Sequence, residues 1–460
     1  MIVVFVIGYL MIALEHKIHI DKAPTALITG MICWALYVFT GAEHEVIEYG
    51  EKFAGFLKSF GDGTTVASSS VPHVGGLYHH LFDIANILLF LMGAMTIVET
   101  IDEHQGFSII TDKIKTTNKV KLLWIIAILS FFFSALLDNL TTAIVMISLL
   151  RKLVSDKQTR WLFAGMVVIA ANAGGAWSVI GDVTTTMLWI GGQLPESVGI
   201  AIPSLILPSF IALLVPLLIL TFTMKGETKR PNIESNNGHG FTTTKGEKIT
   251  LLTVGVAGLL FVPIFKTITH LPPFTGMMLS LGIVWTLTEI MHRKKETEHK
   301  QHLSVISVLR KIDTSSVLFF LGILLAVAAL QEIGHLNIMA EWLSDTLQNN
   351  YAINMSIGFL SSIVDNVPLV AAAQGMYKPQ MIDAVAGAND LIDFLPNGTF
   401  WEFLALCAGT GGSCLIIGSA AGVAVMGLEK IDFIWYLKKI SLLAIVGYIA
   451  GAATYILLVA

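Results

Sequence analysis

Apolar runs separated by short polar stretches fill the chain, and several reach the roughly 20 residues that a bilayer-spanning helix needs. The pattern predicts an all-α polytopic membrane protein of about 10 transmembrane spans. Residues 1–14 are short for a span, but they lack the basic start and cleavage site of a removable leader and read as the first span. Two runs break the pattern. In 134-SALLDNLTTAIVM-146, Asp138, Asn139, Thr141 and Thr142 interrupt the apolar run 122–150. In 361-SSIVDNVPLVAAA-373, Asp365 and Asn366 interrupt the run 351–377 in the same way.

Charge gives these runs a direction. Lysine and arginine collect in six places, around residues 17–22, 113–121, 151–160, 225–248, 293–311 and 430–439; outside them stand Lys52, Lys58, Lys266 and Lys378. Basic loops mark the cytoplasmic side. The acidic, basic-poor stretches 42–83, 332–350 and 378–400 then face outward. The run 122–150 has basic loops at both ends, so it leaves and re-enters the same side. As one helix it would be about 44 Å long, too long for one span, and it is too short for two. It is expected to be a re-entrant hairpin with limbs of about 13 residues and the DNLTT sequence at its tip. The run 351–377 repeats this from the outer side, with Pro368 blocking a continuous helix.

Three segment pairs match in order. Residues 88–106 resemble 318–336, the two Asp-Asn hairpins match, and 172-NAGGAWSVIGDVTTTM-187 resembles 409-GTGGSCLIIGSAAGVA-424, at sequence offsets of 230, 227 and 237. By the charge map the partners run in opposite directions, an inverted repeat of the kind found in secondary transporters. The expected organisation is a first repeat at 1–223 (hairpin 122–150, broken helix 161–192), a flexible cytoplasmic linker at 224–248, and a second repeat at 249–460 (hairpin 351–377, broken helix 401–427). Glycine clusters permit the two breaks. Asp182 lies in the first break and is followed by Thr184, Thr185 and Thr186; Ser419 holds its place in the second.

Composition agrees with this reading. Only 13% of residues are charged, against the ~25% usual in soluble domains. Cys33, Cys407 and Cys414 all lie in apolar segments and suggest neither disulfides nor a metal site. No phosphate-binding glycine loop, nuclease cluster or zinc-spaced Cys/His set appears, so the expectation is a protein that is not an enzyme, takes no cofactor and binds no nucleic acid. A membrane-buried acid is costly and marks function or a cavity; the plainer role for Asp138, Asp182 and Asp365 is to cap the helix that follows. Asn139 and Asn366 either orient the tips or offer carbonyls, and Thr141, Thr142 and Thr184 either ligate or bond back to their helices. His79, His80, His104 and His335 fall near span ends, whereas His292, His299 and His302 read as solvated loop residues. Three acids among hydroxyls and amides form a hard-oxygen set suited to Na⁺ or Li⁺. A buried carboxylate holds either a metal ion or a proton, which is sufficient for antiport.

The motifs 138-DNLTTAI-144, 181-GDVTTTMLWIGGQ-193 and 365-DNVPLVAAA-373 resemble those of NhaD-type sodium/proton antiporters, in the arsenite-permease branch of the ion transporter superfamily. The resemblance covers nearly the whole chain. It implies two inverted repeats with two hairpins and two broken helices, and a homodimer working as an elevator. It also implies a multi-pass place in a bacterial inner membrane. Asp138, Asp182 and Asp365 would bind Na⁺, Li⁺ or H⁺, with Asn139, Thr141, Thr184, Asn366 and Ser419 in support. Related sodium-coupled carboxylate carriers have Ser-Asn-Thr at the tips. An acid in the serine's place twice over argues against the competing reading, an anion or metalloid carrier.

Overall fold

The computed structural model describes residues 1–13, 21–39, 72–111, 113–194, 200–230, 243–293, 303–363, 365–377 and 393–459. Among these the structure is helical, with two isolated bridges, Asn118–Glu227 and Ser178–Ala201, and no strand. The helices are α1 (Ile2–Ala13), α2 (Lys22–Phe39), α3 (Pro72–Glu103), α4 (Ser108–Thr111), α5 (Lys119–Leu137), α6 (Asn139–Leu153), α7 (Lys157–Ala176), α8 (Val183–Ile190), α9 (Pro203–Thr223) and α10 (Lys245–Thr269). They continue as α11 (Pro273–His292), α12 (Val305–Leu309), α13 (Thr314–Glu332), α14 (His335–Leu347), α15 (Asn350–Leu360), α16 (Asn366–Met376), α17 (Thr399–Gly411), α18 (Ala420–Glu429), α19 (Phe433–Lys439) and α20 (Ser441–Val459). Eight described helices (α2, α3, α5, α9, α10, α11, α13 and α20) are long and apolar enough to cross a membrane. Ile28, Ile125, Leu207, Ile283 and Leu442 stay exposed on them, as a lipid-facing surface demands. The chain is a multi-pass membrane protein.

The chain forms two compact units. One comprises Met1–Leu89, Asp313–Thr346 and Ala371–Lys378; the other comprises Phe90–Ile312, Leu347–Val370 and Pro379–Ala460. In the first, α2 and α13 pack with their backbones in contact: a Cβ at Gly30 would lie 2.5 Å from the Gly322 carbonyl oxygen. Trp34 Nε1 donates to Leu325 O at 2.9 Å across the same seam. His80 Nε2 lies 2.8 Å from Glu332 Oε1. Val327, Leu330, Leu336, Ala340, Ala372 and Met376 form an apolar cluster there.

The second unit holds the helices that carry the predicted chemistry, and here two expectations need correction. The two helices of the run 122–150 are 19 and 15 residues long, where limbs of about 13 were expected. Asn118, inside the basic loop, accepts from Lys121 N at 3.0 Å and starts α5 before the apolar run begins. At the other end α6 runs past Arg151 to Leu153. The described ends of the stretch 224–248 make these bonds. Gly226 O accepts from Lys119 N at 3.1 Å, Thr228 N donates to Thr117 O at 2.7 Å, and Thr243 Oγ1 donates to His104 O at 3.1 Å. Lastly, His292 is buried: it ends α11 and stacks on His104, their Nε2 atoms 3.1 Å apart. His299 and His302 lie outside the described residues.

The run 351–377 contains α15 and α16, with Pro368 as the third residue of α16. Proline is tolerated in a first turn, where its amide would have no helical partner.

Candidate functional site

The site is assembled from chain breaks. α5 ends and α6 begins at Asp138, α7 gives way to α8 through residues 177–182, and α17 gives way to α18 through 412–419. Each break leaves carbonyls at one helix end and amides at the next, and side chains settle the amides. Asp138 Oδ1 accepts from Thr141 N at 2.7 Å, and Oδ2 from the Thr141 hydroxyl at 3.0 Å. Asp182 Oδ1 accepts from Thr184 N at 3.0 Å and from its hydroxyl at 2.9 Å. Ser419 Oγ accepts from Gly422 N at 3.2 Å. The capping role is therefore real at all three positions. Asp138 carries a further cost: its φ of 77° and ψ of 162° fall in a region that suits glycine.

Asp182, 1% exposed, is the centre of a polar network in this apolar unit. Asn139 Nδ2 donates to Asp182 Oδ2 at 2.7 Å and to Asn172 Oδ1 at 3.1 Å. Both hydrogens of that amide are thus committed. Asn172 Nδ2 donates in turn to Ser413 Oγ at 3.0 Å and Ser419 Oγ at 2.8 Å. From the second hairpin, Asn366 Nδ2 reaches Asp182 at 3.4–3.5 Å. Asn139, Asp182, Thr184, Asn366 and Ser419, all singled out from sequence, are therefore joined in one network. Asp138, Thr141 and Asp365 stand beside it. The Asp138 and Thr141 side chains bond each other, and Asp365 Oδ1 lies 3.4 Å from Val367 N. Asp182 is within electrostatic reach of both Asp138 and Asp365. The hydroxyls of Thr142 and Thr185 are buried without a protein partner; Thr142 lies on the same face of α6 as Asn139, one turn further on.

Sequence reasoning missed Asn172 and Ser413, which link the first hairpin to the second break. The available signal was weak: each is a lone neutral polar residue in an apolar run, Asn172 ten residues before Asp182 and Ser413 six before Ser419.

The same contacts occur twice. Ser134 Oγ donates to Ala171 O at 2.5 Å, and Ser361 Oγ donates to Ala408 O at 3.0 Å. A Cβ at Gly174 would sit 2.1 Å from Phe131 O, and one at Gly411 would sit 2.0 Å from Gly358 O. Only glycine lets these backbones meet. Asp182 (φ −144°, ψ 143°) and Ser419 (φ −148°, ψ 154°) cap their half-helices with nearly equal torsions.

A multi-pass helical protein with a buried acid ringed by amides and hydroxyls falls in the class of membrane carriers, and residues 9–391 match the family described as citrate transporter. Among curated proteins it is 42% identical to "Sodium/proton antiporter 1" of Arabidopsis thaliana, over 99% of this chain and 72% of that one. It is 40% identical to "Sodium/proton antiporter 2" of the same plant, over 99% and 98%. It is 30% identical to "Na(+)/H(+) antiporter NhaD" of Vibrio cholerae, over 99% and 91%. Within that class, the chain belongs to the NhaD-type sodium/proton antiporter family.

Proposed function

We propose that this chain exchanges Na⁺, and Li⁺, for H⁺ across a membrane by alternating access, with Asp182 as the seat the ions share. One observation carries this reading: Asp182 is buried, its recorded partners are neutral, and no lysine or arginine pairs with it among the described residues. An isolated carboxylate in a dry interior is costly, and breaking its pairing is more so. A proton or a small cation relieves that cost, and one carboxylate does not hold both at full occupancy. Loading either ion therefore expels the other, and a proton gradient drives sodium the opposite way. Asp138 and Asp365 add negative potential from either side and are further seats for the exchanged ions. Asn139 and Asn366 hold the carboxylate through their amide nitrogens and keep their amide oxygens for the cation. Thr141, Thr184 and Ser419 supply hydroxyls. These hard oxygens suit Na⁺ and Li⁺ over softer metals.

The architecture belongs to the same proposal. Residues 1–223 and 249–460 are two inverted repeats joined by 224–248. Hairpins at 122–150 and 351–377 and broken helices at 161–192 and 401–427 meet at a midplane site, in a homodimer that works as an elevator in a bacterial inner membrane. In support, the duplicated contacts of Ser134 and Ser361 follow the sequence offsets of 227 and 237. The names of the similar proteins support the exchanged ions. The carboxylates weigh against an anionic cargo such as the family description suggests.

Everted vesicles energised by respiration test the proposal. Adding NaCl or LiCl should dissipate the proton gradient reported by a pH-sensitive dye, and Asp182→Asn should abolish the response while the protein remains inserted. A response to citrate or arsenite instead of Na⁺, or full activity in Asp182→Asn, would overturn it.

A further inference from the structure

A second buried acid lies at the far end of the helices that carry the site. Glu429 is the last residue of α18, and its side chain is 1% accessible. Arg151 Nε, from the last turn of α6, lies 2.7 Å from Glu429 Oε1. Arg160 Nε, from the first turn of α7, lies 2.7 Å from Oε2. The guanidiniums also close chain ends: Arg151 Nη2 donates to Leu428 O, and Arg160 Nη1 donates to Val154 O at 3.1 Å. Trp161 Nε1 donates to Glu429 O at 3.0 Å, and Trp435 packs edge-on against the Trp161 ring at 5.2 Å.

The three helices pinned by this carboxylate are those that present Asn139, Asn172 and Ser419. From Arg151 back to Asn139 is twelve residues, from Arg160 on to Asn172 twelve, and from Glu429 back to Ser419 ten. At the helical rise these are levers of about 15–18 Å, nearly equal in length. α6 packs on both α7 and α18, and α7 on α18. One carboxylate thus fixes the separation of three rigid rods whose other ends carry hydrogen-bonded groups around Asp182. The corresponding junction in the other half of the repeat is built differently. At 237 residues' offset Arg160 corresponds to Asn397 and Glu429 to Gly192, and there Asn397 N donates to Gln193 O at 2.9 Å. One end of the unit is held by a buried ion-paired carboxylate, and the position equivalent to that carboxylate at the counterpart is a glycine.

We propose that Glu429, through Arg151 and Arg160, is a positioning residue that sets the spacing of the cation ligands and so the affinity and size selectivity of exchange. The inference rests on the assignment of the Asp182 network as the ion site. Selectivity among hard cations depends on ligand number and on how rigidly the ligands are held. Releasing the clamp should loosen that spacing while leaving every ligand present.

The test is exchange in everted vesicles, with half-saturating concentrations of Na⁺ and Li⁺ and maximal rates measured for each variant. Glu429→Gln should raise the half-saturating Na⁺ concentration by about fivefold or more, keep the maximal rate within about twofold, and change the Na⁺/Li⁺ ratio of half-saturation by about threefold. Glu429→Asp should restore part of both shifts. Glu429→Gln combined with Arg160→Gln should do no more than Glu429→Gln alone, since coupled residues are not additive. Arg151→Gln leaves the Arg160 pair intact and gives a milder variant to read if Glu429→Gln fails to insert; it should move the same ratio in the same direction. An unchanged Na⁺/Li⁺ ratio in inserted Glu429→Gln, or in Arg151→Gln when the former is not inserted, overturns the proposal. Asp182→Asn in the same vesicles separates the two levels: if it is silent while the clamp variants match wild type, the clamp alone falls. If Asp182→Asn is active, the site assignment falls and takes the clamp's role with it.

Discussion

At Asp182 the chain caps a half-helix with a carboxylate; at Ser419, with almost the same torsions, it caps the equivalent half-helix with a hydroxyl. The two halves share their backbone devices: a glycine pressed on a carbonyl, a serine bonded across to the next helix, and an asparagine at the hairpin tip. Their side chains diverge. Thr141 corresponds to Pro368, Asn172 to Gly409, and Thr184 and Thr185 to Ala421 and Gly422. The first half supplies the buried charge and most of the hydroxyls, while the second supplies Asn366, Ser413 and Ser419 to complete the network. Matching backbone contacts thus surround one asymmetric polar network rather than two equal ones. Under the proposed exchange, the Asp182 carboxylate is the object over which cation and proton compete.

The largest effect should come from removing that asymmetry at its source. Asp182→Asn makes both caps neutral, and exchange should fall by at least about 1000-fold, beyond the ~1.5–3 kcal/mol that one lost hydrogen bond to a charged group explains. Dye response at saturating Na⁺ checks it, with inserted protein measured in parallel. A shared backbone predicts a shared sensitivity as well. Gly174→Ala places a Cβ 2.1 Å from Phe131 O, and Gly411→Ala places one 2.0 Å from Gly358 O. Each should destabilise the protein by about 1–3 kcal/mol, the usual cost of overpacking. Gly427→Ala, with nothing within 4 Å of the added atom, should leave the melting temperature in detergent unchanged. If only one of the paired glycines proved sensitive, the likeness of the two breaks would be superficial.

Smaller effects belong to the neutral links. Asn172→Ala removes the amide that joins Asn139 to Ser413 and Ser419, and should raise the half-saturating Na⁺ concentration by about tenfold, one to two hydrogen bonds' worth. Ser419→Ala keeps that amide but loses a cap worth about 1 kcal/mol, and should raise it by only a few-fold. The opposite ranking would mean that the second break, not Asn172, organises the site.

The membrane class was legible in the apolar runs, and Asp182 drew notice because a charge in an apolar run stands out at once. The paired glycines were legible through the likeness of 172–187 to 409–424. Asn172 and Ser413 were not, since a lone neutral polar residue among apolar ones is common and its meaning depends on what lies across from it. Glu429 was hidden for the opposite reason: beside Lys430 and Asp432 it resembles an ordinary solvated loop acid, and only folding sets it against Arg151 and Arg160. The true start of α5 escaped because Asn118 lies among lysines, outside the apolar run by which a span is recognised.

The smallest effect comes from a third capping acid, which isolates what burial adds. Asp156 caps α7 as Asp182 caps α8, its Oδ2 accepting from Thr159 N at 2.8 Å, but it is exposed and lies in a basic loop. The Thr159 hydrogen bonds hold its carboxyl below the usual range. A carboxyl lowered on folding contributes stability in full above its unfolded pKa, about 3.9, and loses that contribution as pH falls through the lower folded value. Asp156→Ala should therefore lower stability at neutral pH by no more than about 1 kcal/mol. The gap to wild type should narrow below about pH 4, and Na⁺ exchange at neutral pH should be unaffected. Thermal midpoints in detergent at neutral and acid pH check the first two expectations, and vesicle assays the third. If Asp156→Ala depressed exchange as Asp182→Asn does, the separation of capping from ion binding drawn from these two aspartates would fail.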